Sequence, residues 1–359
     1  MRVCTAILLL TISLFACQRQ QESRVLLLPQ GRQVALLYGM KAAQVLLHDP
    51  HYHYFERVSL TDLATQLKQP VSAFRSREDA LAQYKEALQA NIRRFTSEEA
   101  ELLEGLLQQA CRLIHHIDPE IFPRKLAIIK VSGRLMGPEV LYTRGQSLVI
   151  PQKVLKDYTD EDLLSYLVRG LYFIYIREHP RQQSELYALL HYKPLPHPQD
   201  SLVIPGPVRE SISLNPNTGP LNYFLELEGA AESQRLYPLS STNFHHFVIE
   251  DPVYAQRSFV VYALNPAEKG LWSLEADADG HSTLSFRDLI NQIQERFPAQ
   301  RVSLVHPDLS LADLFIRIVL AKPVPEELSP DYVANLTELQ HQIRAIISSA
   351  ESPSDKDPS

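Results

Sequence analysis

The chain opens on an apolar run, Ile7-Leu8-Leu9-Leu10 followed by Ile12, Leu14 and Phe15, behind one basic residue, Arg2. The run is too short to cross a bilayer as a helix. A polar stretch at 18–24 follows, and from 25 to 75 short apolar runs alternate with polar turns in no stable period. Order appears at Ala80, Leu81, Tyr84, Ala87, Leu88 and Ile92, whose three- and four-residue spacing predicts a helix. Thr96-Ser97-Glu98-Glu99 supplies a cap and acids for a second helix. Its apolar face is Leu102, Leu103, Leu106, Leu107, Ala110, Leu113 and Ile114. Strands are predicted at Leu126 to Val131 and Ser147 to Ile150, with a loop over 132–138 between them. Thr159-Asp160-Glu161-Asp162 then caps the longest apolar stretch beyond the opening run, Leu163 to Ile176, which Pro180 ends. A helix is predicted at Gln182 to Leu190. Runs at Leu202–Ile204, Tyr223–Leu225 and Phe259–Tyr262 dominate 200–284 and predict antiparallel strands. Helices return at 286–297, 309–320 and 332–348, before a Ser/Asp/Pro-rich tail at 349–359 that is expected to be disordered.

This pattern predicts an α+β fold: a helical core with a small sheet and an antiparallel β-rich insert. The body runs from 25 to 348. It divides into a mostly helical part at 25–125, a strand-and-helix part at 126–199, the β-rich insert at 200–284 and C-terminal helices at 285–348. No composition shift marks a domain border, so one composite unit and two domains stay equally open. Hydrophobic residues make up 45% of the 359 and charged ones 21%, which excludes a wholly disordered chain. Lysine and arginine number 35 against 42 acids, and a net charge of −7 gives no electrostatic case for nucleic acid.

The end of the opening run changes the picture. Leu14-Phe15-Ala16-Cys17 resembles the lipobox of bacterial lipoproteins. The resemblance implies a signal peptide at 1–16, a diacylglyceryl group on the Cys17 sulfur and a lipidated tether at 17–24. It also implies a location in the bacterial cell envelope. In a Gram-negative cell, Gln18 in place of the usual inner-membrane retention residue Asp points to the outer membrane, facing the periplasm. Acyl chains in number anchor stably where one is marginal. Of the three cysteines, Cys4 leaves with the signal and Cys17 carries lipid, so Cys111 remains alone and no intrachain disulfide forms. Its setting on an apolar helix face makes it a core thiol.

A second resemblance covers about residues 130 to 320. Tyr142-Thr143-Arg144 leads into Val149-Ile150-Pro151, and the long helix is followed by Arg177, Pro180 and Leu186-Tyr187. Asn215-Pro216-Asn217 comes later, then His306-Pro307-Asp308 and Ala312-Asp313-Leu314-Phe315. The order is similar to that of bacterial zinc metallopeptidases of the zincin type. In that family two histidines four apart on one helix face bind zinc, and the Glu after the first activates the metal-bound water. Here the matching positions are Arg169, Gly170 and Phe173. Guanidinium is always cationic, glycine has no carboxylate and phenylalanine no ligand atom. The third ligand is also in doubt, because the family's downstream acidic pair is Asp308-Leu309 here. The resemblance therefore implies a zincin-like body without catalysis and without a cofactor. Tyr142, Arg144, Arg177, His306, Asp308 and Asp313 are the candidate residues of a remnant cleft. Arg169 has two readings: an ordinary ion pair, or a fixed cation in the old metal cavity for an anionic ligand, Asp308 or Asp313.

Two other readings stand beside this one. Zinc could be held by displaced ligands from His179, His191, His306 and Asp308, giving an active metallohydrolase, or the chain could be a structural lipoprotein unrelated to zincins. Other sites are weaker. His48, His51 and His53 crowd with Asp49 and Glu56, and His51 and His53 would share a strand face as a metal pair. The adjacent pairs His115-His116 and His245-His246 diverge and are read as structural. Glu275, Asp277, Asp279 and Gly280 resemble the start of a calcium loop, but its twelfth position is Phe286, so a hairpin turn explains them better. No Gly-x-Ser-x-Gly elbow is present. The reading that results is a membrane-anchored envelope lipoprotein that binds a protein, a peptide or a cell-wall component, or acts as a scaffold.

Overall fold

The computed structural model describes residues 23–196, 202–227, 234–242, 257–285, 287–291, 306–322 and 330–349. The signal segment, Cys17, Gln18, His245-His246, Phe286, most of the helix expected at 286–297 and nearly all of the tail lie outside the described residues. The fold is α+β, with two six-stranded sheets.

The first sheet holds β1 (Ser23–Leu27), β2 (Gln33–Leu37), β3 (Ile92–Arg93), β4 (Lys125–Val131), β5 (Tyr142–Arg144) and β6 (Ser147–Pro151). The order is β1-β2-β4-β6-β5, with β3 on the end of β4. Strands β2, β4 and β6 are parallel, while β1 and β5 run antiparallel to their neighbours. Strands β4 and β6 read as continuous apolar runs because both of their faces are covered. On one face Val34, Leu36, Ile128, Leu148 and Ile150 belong to the main core, with the helices at Ser97–His115 and Asp160–Glu178. On the other, Leu37, Ile129, Val131 and Val149 lie under α1 (Gly39–Leu47) with its Ala42 and Leu46.

Helices α2 (Tyr54–Arg57), α3 (Leu60–Leu67) and α4 (Arg77–Ala90) build a side cluster around Tyr54, Leu63, Tyr84 and Leu88. Helix α5 (Ser97–His115) begins with the capping box expected at Thr96: the Glu99 amide donates to Thr96 Oγ1 at 3.2 Å, and Glu99 Oε2 accepts from the Thr96 amide at 2.7 Å. Cys111 is a buried thiol of this helix, as expected. After α6 (Gln152–Asp157) comes α7 (Asp160–Glu178), capped by Thr159 and stopped at His179 before Pro180 opens α8 (Pro180–Leu189).

The second sheet runs β7-β9-β10-β11-β12-β8. Its strands are β7 (Tyr192–Pro194), β8 (Leu202–Val203), β9 (Tyr223–Leu227), β10 (Gln234–Thr242), β11 (Arg257–Pro266) and β12 (Trp272–Leu274), with α9 (Gly206–Ser211) between β8 and β9. All its pairs are antiparallel except β12 with β8. Residues 287–291 are helical. Helices α10 (Pro307–Val319) and α11 (Pro330–Ser348) return to the main core through Leu311, Phe315, Ile343 and Ile347.

Two expectations need correction. The part at 25–125 is mostly helical, as expected, but it also supplies most of β1 and all of β2 and β3, so the sheet is larger than the small one expected. Five-residue strands stabilised by a partner some ninety positions away leave no local period to read. Nor do His51 and His53 share a strand face. His51 sits in a turn with Nε2 3.3 Å from Glu178 Oε1, and His53 has φ +50° at the start of α2, with Nδ1 3.4 Å from Glu56.

Candidate functional site

Helix α7 carries Arg169, Gly170 and Phe173, and the last two are part of the packing. Gly170 faces β6, and a Cβ there would lie 2.4 Å from Leu148 Cδ2 and 3.3 Å from both Leu141 methyls. Only a residue without a side chain lets the helix sit this close, which offsets the cost of about 1 kcal/mol for glycine in a helix interior. Phe173 is fully buried, edge-on to Tyr172, and the Tyr172 ring packs 5.5 Å from Phe315 of α10. Arg169 reaches the other way: its Nη2 donates to Asp313 Oδ1 at 2.6 Å on a solvent-exposed rim. Asp313 is a partner named in the cavity reading, but the exposure of both side chains is that of the ordinary ion pair. These three residues do not fit a metal, and no chemistry is routed through one.

The remaining candidates fall into two buried polar groups. In β5, Arg144 lies beneath the rings of Tyr54, Phe55 and Tyr142, 4.3 Å from the Tyr54 centroid. Its Nη1 is 3.7 Å from the carboxylate of Asp49, and that carboxylate also accepts the Tyr54 amide at 2.9 Å. Burial pushes the Tyr142 hydroxyl well up. The strand reaches this depth through a two-residue turn to β6 whose first residue, Gly145, has φ +49°.

The second group surrounds Asp308. Arg177, near the end of α7, donates to the Gly145 carbonyl at 2.7 Å and to Thr143 Oγ1, and its guanidinium lies 4.7 Å from the Tyr52 ring centroid. Asp308, in the first turn of α10, has no solvent exposure. Gln183 Nε2 is 3.4 Å from its Oδ2, while its Oδ1 has no partner among the described residues. Burial pushes the carboxyl up to about 7, against the opposing pull of Tyr187, Gln183 and Arg177. His306 caps the helix, with Nδ1 accepting the Asp308 amide at 3.3 Å. That bond requires a lone pair on Nδ1, and burial holds the ring neutral by pushing it down to about 3. The hydroxyls of Tyr172 and Tyr187 feel the Asp308 charge and are raised mainly by burial.

The six candidates therefore do not line one open cleft. Arg177, His306 and Asp308 come together, Tyr142 and Arg144 form a separate buried pair, and Asp313 is on the surface. Nor do His179, His191, His306 and Asp308 assemble as displaced ligands. The His179 ring stacks on Tyr175 at 4.1 Å with Nδ1 2.7 Å from the Tyr175 carbonyl, and His306 is committed to its cap. Among the described residues the one group of three potential ligands within reach of each other is Asp277, Asp279 and His281, all exposed. It is the turn expected at this place: Asp277 Oδ1 accepts the amides of Asp279 and His281, and Ala276 bridges to Ser282.

The sequence did not single out Asp49 as a partner of Arg144, nor Tyr52, Tyr172, Gln183 and Tyr187 around Asp308. It also missed an open cleft of about 580 Å³ beside β10 and β11. Ser211, Thr242, Ser258, Phe259, Asp279 and His281 are among the side chains lining it. Phe259 is 46% exposed there, and the buried Thr242 hydroxyl has no partner among the described residues. No helix among the described residues is long and apolar enough to cross a membrane. No family model matches the chain, and neither a curated protein nor a solved structure does so.

Proposed function

We propose that this chain is a lipid-anchored protein of the bacterial cell envelope with a zincin-like core, and that it works by binding rather than by zinc hydrolysis. The observation that carries the reading is the state of α7. Arg169 is tied to Asp313 on the rim, Gly170 is closed against Leu148, and Phe173 is buried, so two of the three motif positions serve packing and the third an exposed ion pair. The order β5, β6, α7, with α10 packed on α7, supports descent from that frame. Anchoring rests on the lipobox at Cys17.

Binding belongs to the cleft on the second sheet rather than to the remnant motif. Its wall of hydroxyls beside an exposed aromatic ring suits an extended peptide or a cell-wall component, since polar groups fix orientation and an apolar face supplies contact. The deciding experiment is metal analysis of the mature chain after incubation with zinc, together with peptidase assays. Near-zero zinc and no cleavage are expected. One zinc per chain with peptidase activity overturns the reading.

A further inference from the structure

The first sheet carries a surface unrelated to α7. Ser23 of β1 pairs with Leu37 at the end of β2, next to Tyr38 and Gly39. Because β2 and β4 are parallel and β3 pairs with the last residues of β4, Ile92 and Arg93 reach the same end of the sheet. There Tyr38, Met40, Arg93 and Arg94 line a cleft of about 350 Å³. A guanidinium-lined recess is a marked local departure in a chain of net charge −7.

Exposed apolar side chains collect on this side. Of five large exposed hydrophobics among the described residues, three are Val25 at 54%, Leu27 at 70% and Met40 at 61%. Val25 and Leu27 lie opposite Ala35 and Gln33, on the face that carries Leu37 and is covered by α1. They prolong that apolar face beyond the helix. Strand β1 is also the outermost strand of the sheet.

Chain length selects the occupant. Six residue steps separate Cys17 from Ser23, and a fully extended chain covers about 3.3–3.6 Å per step, or roughly 20 Å in all. A lipid on Cys17 therefore holds this end of the sheet near the bilayer, whatever the tether's conformation. We propose that Val25, Leu27 and Met40 with Arg93 and Arg94 form a membrane-facing surface that rests on anionic headgroups of the bilayer holding the anchor. The apolar side chains enter the headgroup region and the guanidinium groups meet lipid phosphate. The inference rests on lipidation at Cys17. Its effect is to fix orientation, turning the second-sheet cleft to a constant direction from the membrane.

The test uses the full, processed chain in vesicles of phosphatidylcholine mixed with phosphatidylglycerol. An environment-sensitive dye is attached to Val25→Cys, Met40→Cys or, as a control on the second sheet, the 43%-exposed Val203→Cys. The dyes at 25 and 40 should shift to the blue and be quenched by lipid-borne quencher, and the dye at 203 should not. Adding Arg93→Glu with Arg94→Glu should abolish the difference while the chain stays lipidated. A lipidated chain whose dyes at 25 and 40 remain as water-exposed as at 203, or one quenched equally at all three, overturns this inference alone. Mass spectrometry of the same sample reads the anchor separately, and a mature chain without lipid on Cys17 overturns both.

Discussion

Helix α7 and strand β11 each present a phenylalanine, and they treat it in opposite ways. Phe173 is 1% exposed and wedged beside Tyr172, whereas Phe259 is 46% exposed on the wall of a cleft. The same side chain is core in one sheet's packing and surface in the other. The loss proposed for α7 is therefore better diagnosed by what fills its three positions than by what they lack. Missing ligands alone are compatible with an empty pocket that some other ligand uses, while a close-packed replacement is not. The open cleft, by contrast, leaves nearly half of an apolar ring in water, and that favours a contact role.

The largest effect expected from testing this contrast comes from rebuilding the motif. Gly170→Glu drives a side chain against Leu141 and Leu148 and a carboxylate into an apolar contact. A loss of more than about 4 kcal/mol is expected, the range reserved for buried unpaired charge. Urea unfolding of the variant reads it, and a stable protein would mean that the helix and β6 are less tightly apposed than described. Phe173→Ala should cost about 3–5 kcal/mol through lost burial and a cavity. A near-neutral result there would remove the claim that the motif has become core.

The sequence discloses α7 well because its signals are local. Thr159 caps it, Pro180 stops it, and a run of apolar residues lies between. The same holds for the capping box at Thr96 and for β4 and β6, whose two buried faces make them plainly apolar. Residues 25 to 75 resist reading for the opposite reason. Strand β2 exists because β4 lies beside it, and Asp49 matters because Arg144 arrives from β5. The identities of Arg169, Gly170 and Phe173 were enough to say that these three positions offer no zinc ligand. Which way each side chain turns depends on Asp313, Leu148 and Phe315, none of which is near α7 in the sequence. The cleft was invisible because its walls come from separated segments spread between Thr61 and Leu289.

The next effect concerns pH and distinguishes a packed polar group from a working one. In the folded chain Asp308 keeps its proton up to about 7, and His306 stays neutral down to about 3. In the unfolded chain aspartate has lost its proton above about 3.9, and histidine carries one below about 6.5. Between about pH 4 and 6.5 each state therefore holds one proton on the pair, and the pair contributes no slope. His306→Asn keeps a capping acceptor and leaves Asp308 alone. The folded state then binds more protons, so stability is greatest below about pH 4 and falls as pH rises toward 7. Asp308→Asn leaves His306 alone. The unfolded state then binds more protons, and stability falls as pH drops from 6.5 toward 3. Slopes of at most about 1.4 kcal/mol per pH unit, of opposite sign, should appear in urea midpoints of the two variants. Equal slopes would show that the two groups are not buried as described.

The rim of α7 should matter less. The Arg169–Asp313 pair is exposed, so Arg169→Ala should cost under about 1 kcal/mol and the cost should shrink in salt. A loss as large as that of Phe173→Ala would mean that the guanidinium reaches into the old cavity after all, and the anionic-ligand reading of Arg169 would return.

The smallest change in stability should come from the other phenylalanine. Phe259→Ala removes a half-exposed ring that little surrounds, so unfolding should move by no more than about 0.5 kcal/mol. Its value as a test lies in pairing that neutrality with a loss of binding. Cell-wall fragments and extended peptides, screened by calorimetry against the two proteins, should bind the parent chain and lose most of their affinity for the variant. Buried aromatic anchors carry a disproportionate share of interface energy once a partner covers them. If the variant binds as the parent does, the cleft is not the contact surface. If it unfolds easily, Phe259 belongs to the core as Phe173 does, and the contrast between the two sheets fails at the place where it was drawn.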